Sequence, residues 1–165
     1  MGEGIFNDRY MIEFSQATPQ EIDDLIRLRL KFIEEDVGPI SEEKKERIQS
    51  QLADYFSRKL GEELVAFVAR AEGRMVAVVY LLMVEMPANA NLLNGRHGEV
   101  LSVYTEKPYR GQGLCTTLMR HLLDYGKTRQ LGRIDLSATP DGYRVYQKVG
   151  FVEKDHDYTD MRYKY

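Results

Sequence analysis

The run Tyr109-Arg110-Gly111-Gln112-Gly113-Leu114-Cys115-Thr116 carries the strongest chemical signal in the chain. Glycines at 111 and 113 stand directly before an apolar periodic stretch. Lacking Cβ atoms, they let backbone amides approach a ligand closely. Those amides fall where a helix begins, and unpaired N–H groups at a helix N-terminus favour an anion. Arg110 adds a cation whose fork suits phosphate oxygens. Such a segment is a cradle for phosphate or pyrophosphate, and its residue types do not name the ligand. The Walker pattern, which needs Gly-Lys-Ser/Thr after a first glycine, is absent. The dinucleotide pattern G-x-G-x-x-G is met at Gly111 and Gly113, with Thr116 in the third slot. Asp135 follows at about the distance suited to a ribose. A nicotinamide-dependent oxidoreductase is therefore one expectation, although little more than one strand-helix pair follows the cradle.

The other reactive side chains are scattered. Cys115 sits at the same helix start, but His121 falls on a different face of that helix. A small buried filler is expected there rather than a nucleophile. His97, His121 and His156 show no zinc-ligand spacing, so no metal is expected. The acidic residues of the helix after Ser41, and Asp155, Asp157 and Asp160, suit solvated faces that would attract a cationic amine if they rimmed a cleft.

The elements that must position the cradle follow from periodicity and punctuation. A strand is predicted at 10–14. Thr18, Pro19 and Glu21 form a capping-box start for a helix that Gly38-Pro39 ends. Ser41 starts a second helix, with Gly61 beyond its end. Strands at 64–69 and 75–82 flank the hairpin turn Ala71-Glu72-Gly73-Arg74. Residues 87–98 form a loop and 100–104 a doubly buried strand. A helix over about 111–129, a strand at 134–138, a helix at 141–148 and a closing hairpin complete the order. That order implies one domain over 10–165, with a mixed sheet covered by helices (an α/β, α+β arrangement), preceded by a flexible segment at 1–9.

Composition limits the alternatives. The 165 residues are 43% hydrophobic and 30% charged, which suits a packed domain and not a disordered chain. A net charge of −3 gives no electrostatic footprint for nucleic acid. The start has no signal-peptide pattern, Phe6 stands where myristoylation wants Ser or Thr, and the longest apolar run is too short for a bilayer. No membrane association is expected. A single cysteine suits a reducing cytoplasm.

The segment Arg110-Gly111-Gln112-Gly113-Leu114-Cys115 resembles the Gln/Arg-x-x-Gly-x-Gly/Ala signature of the GNAT superfamily of N-acetyltransferases. Arg110 and Gly113 are in register, and Cys115 takes the last, small slot. Leu101 to Thr105 and Pro108-Tyr109 are similar to the family's strand and its entry into the signature. Tyr146-Gln147-Lys148-Val149-Gly150-Phe151 resembles its downstream Tyr-x-x-x-Gly-Phe. Thr139 stands where many members carry Asn.

The resemblance implies the family's fold from Met11 onward, a mixed, mostly antiparallel central sheet flanked by helices. It implies acetyl-CoA as co-substrate, with its pyrophosphate on the amides of Gly111, Gln112, Gly113, Leu114, Cys115 and Thr116 and with Arg110 alongside. It implies Val103, Tyr104 and Thr105 along the pantetheine arm, with the Val103 amide facing the thioester oxygen. It places Tyr146 as the acid for the leaving thiolate and Glu99 as a base for the acceptor, acting directly or through water. The expected reaction is direct acetyl transfer, without a metal, to a primary amine of a small molecule or peptide. A non-catalytic acyl-CoA-binding module is the alternative, and a homodimer is common among relatives.

Overall fold

The computed structural model describes residues 3–7, 10–155 and 158–165. Six strands lie in chain order across one sheet: β1 (Glu3–Asn7), β2 (Tyr10–Gln16), β3 (Leu64–Ala71), β4 (Arg74–Glu85), β5 (Arg96–Thr105) and β6 (Arg133–Asp135). Neighbours through β5 are antiparallel, and β6 joins β5 in parallel. A doubly wound dinucleotide fold requires a mostly parallel sheet. The nicotinamide expectation is corrected on that ground. Asp135 is engaged elsewhere, with Arg133 at 3.1 Å and Lys154 at 3.5 Å.

Two helix pairs cover the sheet. α1 (Ile22–Val37) and α2 (Glu42–Lys59) lie on one face. α3 (Leu114–Thr128) and Tyr146 of α4 (Pro140–Lys148) cover the other. The predicted helix ends hold for chemical reasons. Glu21 accepts the Thr18 amide at 2.9 Å, Ser41 accepts from the Lys44 amide at 3.4 Å, and Gly38 leaves α1 with φ 83°. Leu25 and Leu28 of α1 and Phe56 of α2 pack on Val68, Val78 and Tyr80. Leu118, Met119 and Leu122 of α3 pack on Phe67, Val79 and Leu81. The hairpin turn holds Glu72 and Gly73 in the left-handed region, as a tight turn requires.

Four expectations need revision. Residues 3–7 pair with β2 where a flexible segment was expected; Met1, Gly2, Asp8 and Arg9 lie outside the described residues. β5 begins at Arg96, inside the predicted loop, because β4 continues to Glu85 and offers that stretch a partner. β6 ends at Asp135, so Leu136, Ser137 and Ala138 run on without strand pairing towards Pro140. The closing hairpin is not found among the described residues. Its segments at 151–153 and 158–165 carry no strand, and Tyr158, Met161, Tyr163 and Tyr165 are exposed. The short β6 edge gives them little backbone to pair with. His156 and Asp157 lie outside the described residues.

Candidate active site

The site starts from an irregularity in β5. Val79 faces Val103 and Leu81 faces Val100, so β5 takes three steps where β4 takes two. This bulge keeps Val100 and Val103 packed towards the α3 face, and puts Leu101 and Ser102 on a cavity under α1 and α2. β6 pairs only with His97, Gly98 and Glu99. Beyond them, β5 has no strand on its outer side among the described residues. A cleft of about 760 Å³ opens there, and Val103, Tyr104 and Thr105 line it.

The cradle closes one end of that cleft. Gly111 and Gly113 have φ of 72° and 80°, a region that a Cβ would strain, and Gly113 caps α3. The turn therefore delivers the first amides of α3 to the cleft, which Gly111, Gly113, Leu114, Cys115 and Thr116 line. The side chain of Gln112 turns away, donating to the Pro108 carbonyl at 3.1 Å. Burial pushes the Cys115 thiol up to about 11. It is protonated at neutral pH, which suits a small wall residue and not a nucleophile.

Arg110 is engaged differently from the free fork expected of it. Its Nη1 and Nη2 donate to the Glu35 carboxylate of α1 at 2.7 and 2.9 Å, and its Nε donates to the Thr105 carbonyl at 2.7 Å. Its guanidinium lies 5.6 Å from the centre of the Tyr104 ring. The hydrogen bond from Arg110 holds the Glu35 carboxyl below its ordinary value. Arg110 thus straps the cradle to α1, with its charge matched by Glu35.

Tyr146 comes to the same cleft from α4. It is 8% exposed, its ring meets Phe151 edge-on, and burial pushes its phenol up to about 12, with Cys115 adding in the same direction. The phenol stays protonated across the physiological range. Two features place it. Thr139 caps α4 by accepting from the Gly142 amide at 3.2 Å, doing there what an Asn side chain could also do. Gly142 itself leaves room for the ring: a Cβ there would lie 2.8 Å from Cε2 and 3.1 Å from the hydroxyl of Tyr146.

Glu99 does not line the cleft. Its side chain is 49% exposed, and its carboxylate lies 3.5 Å from Nε2 of the buried His97. The structure therefore brings Tyr146, Val103, Tyr104, Thr105, Arg110 and the cradle together and leaves Glu99 at the neighbouring stretch of the strand. Sequence reasoning missed Phe32 and Glu35 of α1 and Gly142 of α4 as wall residues. Gly142 had a signal, as a glycine in a first helical turn four places before a tyrosine. Glu35 had none.

The sequence model described as Acetyltransferase (GNAT) family matches residues 26–151, and the chain belongs to that family. A predicted acetyltransferase from Clostridium acetobutylicum, whose structure was solved with acetyl-CoA, superposes with a TM-score of 0.79 at 27% identity. The match covers 92% of this chain and 96% of that one. Among curated proteins, the uncharacterized N-acetyltransferase YedL of Escherichia coli is 30% identical over 101 residues. Glucosamine 6-phosphate N-acetyltransferase 1 of rice is 35% identical over 60 residues. The matched stretches span 58% of YedL and 36% of the rice protein, with the same shares of this chain.

Proposed function

We propose that the chain is an acetyl-CoA-dependent N-acetyltransferase that moves an acetyl group to a primary amine of a small molecule or peptide. The observation that supports this best is one cleft that gathers the open edge of β5, the amide cradle at the start of α3 and the phenol of Tyr146. The cradle's two left-handed glycines suit a pyrophosphate, and an unpaired strand edge suits the amides of an extended pantetheine arm. A volume of about 760 Å³ is of the size that holds a large ligand. The relative from Clostridium acetobutylicum, crystallised with acetyl-CoA, supports the same donor.

Each residue then has a chemical task. The Val103 N–H faces the thioester oxygen, where negative charge develops during attack. As the C–N bond forms and the C–S bond breaks, Tyr146 gives its proton to the departing sulfur. An aliphatic amine arrives protonated, with a pKa near 10, and must lose a proton before attack. Glu99, outside the cleft, receives that proton through a water. The exposed carboxylate beside His97 is open to solvent and suits such a relay.

The test follows thiol release over a panel of amines for the wild type and Tyr146→Phe. Removing the phenolic proton is expected to lower kcat about 100-fold, with KM for acetyl-CoA within about twofold. An unchanged kcat would remove Tyr146 from the reaction. Binding of acetyl-CoA with no turnover on any amine would make the chain a binding module.

A further inference from the structure

Beside the cleft lies a second cavity of about 170 Å³, under α1 and α2 on the other side of the β5 bulge. Arg29, Gln51, Tyr55, Tyr80, Leu101 and Ser102 form much of its wall. The two cavities share both walls. Arg29 and Phe32 are one turn apart on α1, and Ser102 and Val103 are adjacent on β5; the first of each pair lines the small cavity and the second lines the cleft.

Two groups in this cavity lack the partners that such groups ordinarily have. Arg29 is half-buried, yet it meets no carboxylate among the described residues. Its Nη1 donates to the Ser102 hydroxyl, and its guanidinium lies 5.0 Å from the Phe32 ring centre. The other arginines near it are matched: Arg27 and Arg74 with Glu106, Arg110 with Glu35. Tyr80 is 3% exposed, and its buried hydroxyl has no hydrogen-bond partner among the described residues. Tyr80 and Arg29 are electrostatic neighbours: burial raises the phenol's pKa, and the Arg29 charge acts against that rise. A partly desolvated cation and a buried unpaired hydroxyl each carry a cost that an anion between them would offset.

We propose that this cavity holds an oxyanion of the amine acceptor, a carboxylate or a phosphate, bound by Arg29 with the Ser102 and Tyr80 hydroxyls as further donors. The inference deepens the acetyl-transfer reading and rests on it for the word acceptor. An acceptor anchored there presents its amine past Ser102 and Phe32 to the stretch of cleft at Val103. Selectivity then lies in the anion: a neutral or purely cationic amine leaves Arg29 uncompensated.

Binding is tested first, without turnover. Thermal unfolding is followed with inorganic phosphate and, separately, with acetate, for the wild type, Arg29→Gln, Arg29→Lys and Tyr80→Phe. Comparison with Arg29→Gln removes any contribution from the cradle, which both proteins retain. The expected result is a rise in Tm that is larger in the wild type than in Arg29→Gln, reduced in Tyr80→Phe and partly restored in Arg29→Lys. A phosphate-selective rise assigns a phosphorylated acceptor and an acetate-selective rise a carboxylated one. Equal rises in wild type and Arg29→Gln overturn the proposal; should Arg29→Gln fail to fold, an unreduced rise in Tyr80→Phe does so. Turnover is the second arm, using amines matched with and without the anionic group. Arg29→Gln is expected to lower kcat/KM for the anionic member about 10- to 100-fold, through KM, and to collapse its preference over the neutral counterpart. An equal loss on both members contradicts the proposal. Acetyl-CoA calorimetry separates the two readings: a chain that binds the anion through Arg29 and not acetyl-CoA keeps this cavity and loses the acetyl-transfer assignment.

Discussion

In the proposed reaction, Gly142 decides whether the Tyr146 phenol is in place without itself taking part in bond making. The Tyr146 ring crosses the first turn of α4 where a side chain would otherwise stand, 2.8 Å from the position of a Cβ. Gly142→Val should therefore push the phenol out of line with the cleft. A displacement of about 1 Å at a reacting group costs on the order of 100-fold in rate. Steady-state kinetics should show kcat falling about 10- to 100-fold with KM for acetyl-CoA little changed; an unchanged kcat would show that the ring finds its place without the glycine. The raised phenol pKa has its own consequence. In the proposed reaction Tyr146 acts as an acid, and with its phenol pushed up to about 12 it adds no falling limb to activity at pH 7–10. The Gly-x-Gly spacing and the downstream tyrosine made much of this site legible in the sequence, since local chemistry sets a left-handed turn at a helix start. Arg29, Tyr80 and Ser102 were not legible. They lie on three elements, and periodicity does not tell which polar residues meet across a sheet and a helix layer.

The helices and strands are held to the site by charge as well as by packing. Glu106 directly follows the last residue of β5, is 4% exposed, and receives Arg27 at 2.7 Å and Lys31 at 2.8 Å from α1 and Arg74 at 2.7 Å from β4. It joins α1, the β3–β4 hairpin and the entry to the cradle at one point. Burial acts to raise its pKa, but the hydrogen bonds and charges of Lys31 and Arg74 prevail and hold it below the ordinary 4.5. A carboxyl depressed on folding stabilises fully above its unfolded pKa, and that contribution is lost as pH falls through the folded value. Glu106→Gln should lose about 2–3 kcal/mol at neutral pH by chemical denaturation, less than a fully buried pair because its cations are partly exposed. The gap to the wild type should narrow below about pH 4.5. A constant gap from pH 7 to pH 3 would contradict this account. Helix limits were legible because caps are local, as at Thr18, Ser41 and Gly38. The pairing of β1, the bulge at Leu101 and Ser102 and the lack of strand pairing among the described residues of the tail were not, since each depends on what a distant strand offers.

At the scale of the whole molecule, strand order decides between two uses of one glycine motif. A parallel, doubly wound sheet would put Gly111 and Gly113 beneath a dinucleotide. Here the sheet is antiparallel through β5, and the glycines stand at the end of a cleft along an open strand edge. Much of the order of elements was legible from turn chemistry, but strand direction was not, and it took the observed pairing to set the nicotinamide reading aside. The account depends on that cleft being a site for acetyl-CoA. Calorimetry with acetyl-CoA on the wild type and Gly113→Glu, with NADH as the control ligand, tests it most directly. One acetyl-CoA per chain at micromolar affinity is expected, abolished when a carboxylate is placed against the phosphates, with no uptake of NADH. A wild-type chain that binds NADH but neither acetyl-CoA nor CoA would contradict it.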